Sequence, residues 1–396
     1  MICLLSVRVA GPLECYAEGF VSKLLSLQYA PLSARNVLYV FGHLSRWLAA
    51  RKLGARALTP KRVRAFLRSR RRAGYTSRLS PRGLVPMLEY LRGLGVVPVD
   101  VVARPRTHVE RLLARYAEYL EQERALAPST IRYCVDTAAR FLNEDASRAA
   151  IRALTAAGVR AFLRRISRTH RRSLAGIGSN LRCLLRFLFV EGRIGRDLSL
   201  AVPASACWRG RMLPRGISWE HVHRMLSSCD RRTLVGKRDF AILLLLARLG
   251  LRQCEVCALT LDDFDWERGE LTIHGKGRKR AQLPLPDDVG RALSSYLRYR
   301  PRVATRRVFL RVRAPYRPLR VLGQPVFTAS QRAGIDRVWP HRLRHTAATE
   351  MLRGGASLSD IAQVLRHTST QTTAIYAKVD RRALRTAVQP WPGARR

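Results

Sequence analysis

The sequence predicts a multidomain fold: an α-helical N-terminal half in which one pattern occurs twice, followed by a mixed α+β domain. Three observations predict it. Apolar residues recur at three- and four-residue steps from Leu32 onward, with Val37, Val40, Phe41, Leu44, Trp47 and Leu48 the clearest run; this is the period of a helix with one buried face. Residues 154–164 repeat residues 58–68 in order and spacing. Strand-like alternation is concentrated in residues 269–285, around Gly275-Lys276-Gly277.

Taken in order, the first 30 residues carry a mixed apolar pattern that fits one helix. A helix follows over residues 32–48. Thr59-Pro60 reads as a cap with proline in the first turn, and the helix after it carries Val63, Phe66 and Leu67 on one face and arginines on the other. Residues 84–94 form another helix, stopped by Gly95. The pattern then returns. Leu154-Thr155 and Val159-Arg160-Ala161-Phe162-Leu163-Arg164 match Leu58-Thr59 and Val63-Arg64-Ala65-Phe66-Leu67-Arg68. Leu185, Phe187, Leu188 and Gly192 follow as Leu88, Tyr90, Leu91 and Gly95 do, and residues 129–142 open the second copy as 33–48 open the first. Order, spacing and the arginine-faced helix all recur, which favours duplication over chance likeness of amphipathic helices. Residues 198–216, with Pro203, Gly210, Pro214 and Gly216, read as a linker.

In the second half Ser218 caps a helix whose His221 and His223 lie off one face and are read as surface residues. Residues 237–249 are a helix with an apolar core face, and 255–261 continue helically after Arg252. Residues 269–274 and 278–285 form a β-hairpin with glycines at the turn and Pro284 closing it. A helix over 287–299, a short buried segment at 308–310 and a loop over 311–325 follow. Pro340 starts a helix over 341–353 that stops at Gly354-Gly355. Ser357-x-x-Asp360 then caps a short helix ending near His367, and Ser369 or Thr370 caps the helix bearing Tyr376.

Charge narrows the function. The 396 residues hold 73 Lys and Arg against 28 Asp and Glu, a net charge of +45. So much uncompensated charge repels itself unless a polyanion is present, which points to nucleic acid ahead of a membrane surface. No segment approaches the roughly 20 apolar residues of a membrane span, and the apolar run 240–247 stops at Arg248. Residues 1–5 are too short for a signal peptide and lack its basic start. Eight scattered cysteines, with Cys254 and Cys257 the one close pair, fit reduced thiols in a cytoplasmic protein and no metal site.

The chemistry gathers in residues 339–378 and one upstream run. His341-Arg342-Leu343-Arg344-His345, Leu365-Arg366-His367 and Ile375-Tyr376 place imidazoles, guanidiniums and a phenol in fixed order behind Leu249-Gly250-Leu251-Arg252-Gln253-Cys254-Glu255. In a basic chain this set suits attack on a phosphodiester. That reaction needs charge stabilised on the non-bridging oxygens, an activated nucleophile and a protonated leaving oxygen. Arg252 and Arg344 suit the first task, because a planar guanidinium grips phosphate bidentately and stays charged. His341 and Arg344 share one helix face and can meet the same phosphate. Arg252 follows Leu246, Leu249 and Leu251, is expected to be largely buried, and then needs an anionic partner, which Glu255 can supply.

These four motifs, in this order, resemble the tyrosine recombinase (phage integrase) family, and most of residues 105–390 can be laid onto it. The resemblance implies an additional N-terminal helical DNA-binding domain over 1–104 and a SAM-like core-binding domain over 105–197. The linker 198–216, a catalytic domain over 217–390 and a tail over 391–396 complete the chain. It implies Tyr376 as nucleophile and Arg252 and Arg344 as the phosphate clamp. His341 assists proton transfer around Tyr376, His367 donates a hydrogen bond to the phosphate, and Lys276 protonates the 5′ oxygen from the hairpin tip. Glu255 and His345 support the site. No metal or other cofactor is implied. The partners are double-stranded DNA and further recombinase subunits, as a homo- or hetero-tetramer assembled on DNA. A transposase with the same chemistry, a type IB topoisomerase and a non-catalytic DNA-binding protein of the same fold are the rival readings. Two departures stand out: Arg366, where the family usually has glycine, is expected to tilt His367 or add a phosphate contact, and Cys254 replaces a small hydroxyl residue.

Overall fold

The computed structural model describes residues 7–98, 107–142, 148–169, 174–203, 216–275 and 280–366. Two compact units emerge, one combining residues 1–98 with 210–396 and the other comprising 99–209.

Residues 7–98 fold into helices α1 (Ala17–Ser26), α2 (Pro31–Ala49), α3 (Pro60–Arg72) and α4 (Val85–Gly93). Their apolar faces close on one core, where Phe20, Phe41, Leu44, Leu48, Phe66 and Leu91 are buried. The Thr59 side chain accepts from the Arg62 N–H at 3.4 Å, capping α3 just before Pro60. One arginine of α3 departs from the outward face expected of it. Arg70 is buried, donates from Nη1 to His43 Nδ1 at 2.8 Å, and lies over the Tyr75 ring at 4.2 Å. Burial pulls its pKa down from the ordinary arginine value, the phenol of Tyr75 opposes this, and Arg78 adds to it.

The second unit holds α5 (His108–Gln122), α6 (Pro128–Leu142), α7 (Arg148–Arg152), α8 (Ala156–Thr169) and α9 (Leu174–Val190). Its core gathers Tyr116, Leu120, Val159, Leu184, Phe187 and Leu188. Thr107 and Glu110 form a reciprocal capping box at the start of α5, both bonds 3.1 Å. Features of the first helical set recur here. Thr155 Oγ1 accepts from the Gly158 N–H at 3.2 Å, as Thr59 caps α3, and a glycine of positive φ follows α9 (Gly192) as one follows α4 (Gly95).

Residues 216–366 are built around α11 (Leu234–Ala247), in which residues 241–247 are all buried. It follows α10 (Trp219–Ser227), capped by Ser218. A short α12 (Gln253–Ala258) leads to an antiparallel sheet of β1 (Phe264–Asp265), β2 (Glu270–His274) and β3 (Arg280–Pro284), in that order. The predicted hairpin is β2–β3, paired Leu271 with Leu283 and Ile273 with Ala281. Leu271 and Ile273 alternate inward onto the core. Helices α13 (Asp287–Leu297), α14 (Gly323–Arg332), α15 (Pro340–Arg353) and α16 (Leu358–Val364) complete this part. The start of α14 corrects the predicted loop over 311–325. Val326 and Ala329 bury one face of this helix, and the stretch before it shows no periodicity that would announce it. Among the described residues, no helix is long and apolar enough to cross a membrane.

Candidate active site

Helix α15 presents the predicted His-x-x-Arg pair in its first two turns. Pro340 takes the first helical position and fixes the start of the helix. His341 is exposed, Arg344 is buried and His345 is half-buried. The two imidazoles stand edge-on, centroids 6.0 Å apart. Burial, then the neighbouring His341 and Arg344, push the His345 pKa below its ordinary value, which keeps it neutral at neutral pH.

Arg344 reaches two backbone oxygens. Its Nη1 donates to the Gly250 carbonyl at 2.5 Å and its Nη2 to the Leu365 carbonyl. Gly250 has φ +58°, and a Cβ there would lie 2.5 Å from Leu365 Cδ2, so the turn requires glycine on both counts. Two residues on, Arg252 precedes α12. Its backbone N–H donates to Glu255 Oε2 at 2.8 Å, its Nη1 to Glu255 Oε1 at 2.7 Å and its Nη2 to the Arg366 carbonyl at 3.0 Å. The two guanidiniums therefore hold consecutive carbonyls, those of 365 and 366, and lock the residues immediately before His367 to the turn at 250–252.

The Glu255 side chain is 2% exposed. Burial alone would raise its pKa. The Arg252 backbone N–H, the charge of Arg366 and the side-chain bonds from both arginines outweigh it and hold the carboxyl below its usual range.

The structure thus brings Arg252, Glu255 and Arg344 together through residues 365–366, with His341 and His345 on the helix of Arg344. Two expectations change. The Arg252 side chain is 36% exposed, not largely buried; it is Glu255 that is buried, because the carboxylate sits under the first turn of α12. Arg366 makes no outward phosphate-facing gesture: its Nη2 turns inward to Glu255 Oε2 at 2.8 Å. Its φ of 54° shows why glycine suits this position. Lys276, His367 and Tyr376 lie outside the described residues. Sequence reasoning missed a further pair at the last residue of β2, the end of the strand nearest the hairpin turn. His274 Nε2 lies 2.8 Å from Asp263 Oδ1, and Asp263 Oδ2 accepts from Thr260. That pair joins β2, which runs toward Lys276, to the turn before β1, and nothing in the spacing of these residues signals it.

Comparison with known proteins identifies the family. The model of the phage integrase family matches residues 217–382, and that of the phage integrase N-terminal SAM-like domain matches residues 113–192. The integrase/recombinase y4rA of Sinorhizobium fredii is 39% identical, over 97% of this chain and 95% of its own length. The tyrosine recombinase XerC of Oceanobacillus iheyensis is 30% identical, over 70% of this chain and 95% of its own. Among solved structures, the XerH site-specific recombinase bound to its palindromic difH substrate has a similar fold. It has TM-score 0.55 at 17% identity, and covers 73% of this chain and 98% of that one. The chain belongs to the phage integrase, or tyrosine recombinase, family. It is a DNA strand-transfer enzyme of site-specific recombination, working by the tyrosine mechanism.

Proposed function

We propose that the Tyr376 phenol oxygen attacks the scissile phosphorus of duplex DNA, forming a 3′-phosphotyrosyl link and expelling the 5′ oxygen. Arg252, Arg344 and His367 hold the non-bridging oxygens as negative charge builds there. His341 assists removal of the phenol proton, and Lys276 gives the leaving oxygen its proton. The hydroxyl of a partner strand then attacks the same phosphorus and releases Tyr376. Each step exchanges one phosphoester for another, so no nucleotide is consumed. The observation that carries this reading is the tethering of Arg252 and Arg344 to the carbonyls of 366 and 365, directly before His367. Such bracing keeps the two guanidiniums in one arrangement before substrate arrives.

The partner in this reading is double-stranded DNA, drawn by the net charge of +45. Structures of similar fold include recombinases solved on DNA, among them a lambda integrase dimer on a COC′ core site. We assign residues 1–104 to an additional helical DNA-binding domain, 105–197 to the core-binding domain, 198–216 to the linker, 217–390 to catalysis and 391–396 to a tail. Four subunits assemble on two sites, with residues 379–396 docking on a neighbour, and the enzyme acts in the cytoplasm on nucleoid DNA.

The test is a nicked suicide duplex, from which the 5′-hydroxyl fragment diffuses away and traps the adduct. The wild-type chain accumulates a covalent complex. Tyr376→Phe binds the same duplex with unchanged affinity and yields none. An adduct of undiminished yield from Tyr376→Phe removes that residue from the mechanism.

A further inference from the structure

Arg366 stands in a left-handed backbone conformation, φ 54°, which is unfavourable for a residue with a Cβ. Its side chain turns back into the protein and is only 12% exposed. One terminal nitrogen donates to the Val364 carbonyl at 2.8 Å and the other to Glu255 Oε2 at 2.8 Å. Its buried Nε has no partner among the described residues, so these two bonds are what orient the guanidinium. Glu255 is thereby shared between Arg252 on Oε1 and Arg366 on Oε2. The ring closes through the Arg366 carbonyl, which accepts from Arg252.

Charge decides what this ring does. A lone Arg252–Glu255 pair sums to zero, and a carboxylate 2.7 Å from the guanidinium competes with any phosphate for it. Two guanidiniums on one buried carboxylate leave a surplus positive charge. Of the two, Arg252 is the more open to solvent, at 36% against 12% for Arg366. An anion approaching from solvent therefore meets the surplus at Arg252.

We propose that Arg366 is a positioning residue for strand transfer: its guanidinium takes up the Glu255 carboxylate, so that Arg252 presents uncompensated charge to the scissile phosphate. It acts through Glu255 and Arg252 and does not itself touch the phosphate. The proposal rests on the reading of Arg252 as part of the phosphate clamp.

Single-turnover cleavage of the suicide duplex by the full chain tests it, with DNA affinity measured in parallel. Arg366→Met loses up to about 100-fold in cleavage rate, as a contact residue moved out of position can, with DNA affinity little changed. Arg366→Lys, which keeps the charge, recovers most of the rate. Arg366→Gly relieves the left-handed backbone yet stays as slow as Arg366→Met. The double variant Glu255→Gln with Arg366→Met is faster than Arg366→Met alone, because the neutral amide no longer offsets Arg252; this result also separates a charge effect from misfolding. Wild-type rates in Arg366→Gly, or a double variant as slow as the product of the two single effects, overturn the proposal. If the wild-type chain itself forms no adduct, the failure lies in the phosphotyrosyl reading and not in the role of Arg366.

Discussion

Gly250→Ala puts the geometry of the proposed clamp under direct strain. The residue sits at φ +58°, and the new methyl would stand 2.5 Å from Leu365 Cδ2 and 3.4 Å from Ala347 Cβ. Leu365 is fully buried beside Ala348 and Ile361, so its side chain cannot swing into solvent to make room. The left-handed backbone costs alanine about 1–2 kcal/mol, and overpacking a filled core about 1–3 more, for a total of about 2–5 kcal/mol. The strain also reaches function. Leu365 and Gly250 supply the two carbonyls that hold Arg344, and misplacing a clamp group by about 1 Å can cost up to about 10²-fold in rate. Urea unfolding followed by tryptophan fluorescence measures the first effect, and single-turnover cleavage at a temperature where the variant is folded measures the second. Gly290→Ala is the control: it lies within α13, where a Cβ meets Leu285 side-chain atoms at an ordinary 3.7 Å, and it should be neutral or slightly stabilising. A Gly250→Ala protein as stable and as fast as the Gly290→Ala control would refute the bracing argument.

Two further outcomes are expected. Lys276→Ala slows cleavage of ordinary DNA by roughly 10²–10⁴-fold, the usual worth of a general acid. It should be close to wild type on DNA with sulfur at the bridging 5′ position, since a thiolate leaves unprotonated; Arg344→Ala should be slow on both, and equal impairment of Lys276→Ala on both substrates would make Lys276 a positioning contact. Binding should also weaken steeply with salt, by roughly three to five decades between about 50 and 200 mM if about six to ten phosphates are neutralised, whereas a flat log–log slope would place the net charge of +45 away from the DNA.

Much of this was readable from residues alone because the signals are local. The apolar faces of α2 and α3, the Thr59-Pro60 cap and the alternation through Leu271 and Ile273 each depend on neighbours a few positions away. What stayed hidden depends on distant partners. Strand β1 is two residues long and exists by pairing with β2, so it carries no pattern of its own. Helix α14 follows an aperiodic stretch and shows its buried face only once Val326 meets the core. Arg70 looks like a surface residue until His43 and Tyr75 are brought to it. At the site, motif order singled out Arg252, Glu255, His341 and Arg344 as candidates, and the i to i+3 spacing suggested the Arg252–Glu255 pair that the structure shows. Spacing could not show that Arg344 is held by the Gly250 and Leu365 carbonyls, nor that Arg366 spends its side chain on Glu255, more than a hundred residues upstream.

The most direct measurement is to locate the DNA on the protein. Wild-type enzyme trapped on a suicide duplex is digested with protease and nuclease, and the nucleotide-bearing peptide is sequenced by mass spectrometry. End-labelled strands report which side of the break is attached. The account predicts a nucleotide joined through its 3′ phosphate to Tyr376, with a free 5′ hydroxyl on the released fragment. Attachment to any other residue, or through a 5′ phosphate, would contradict it.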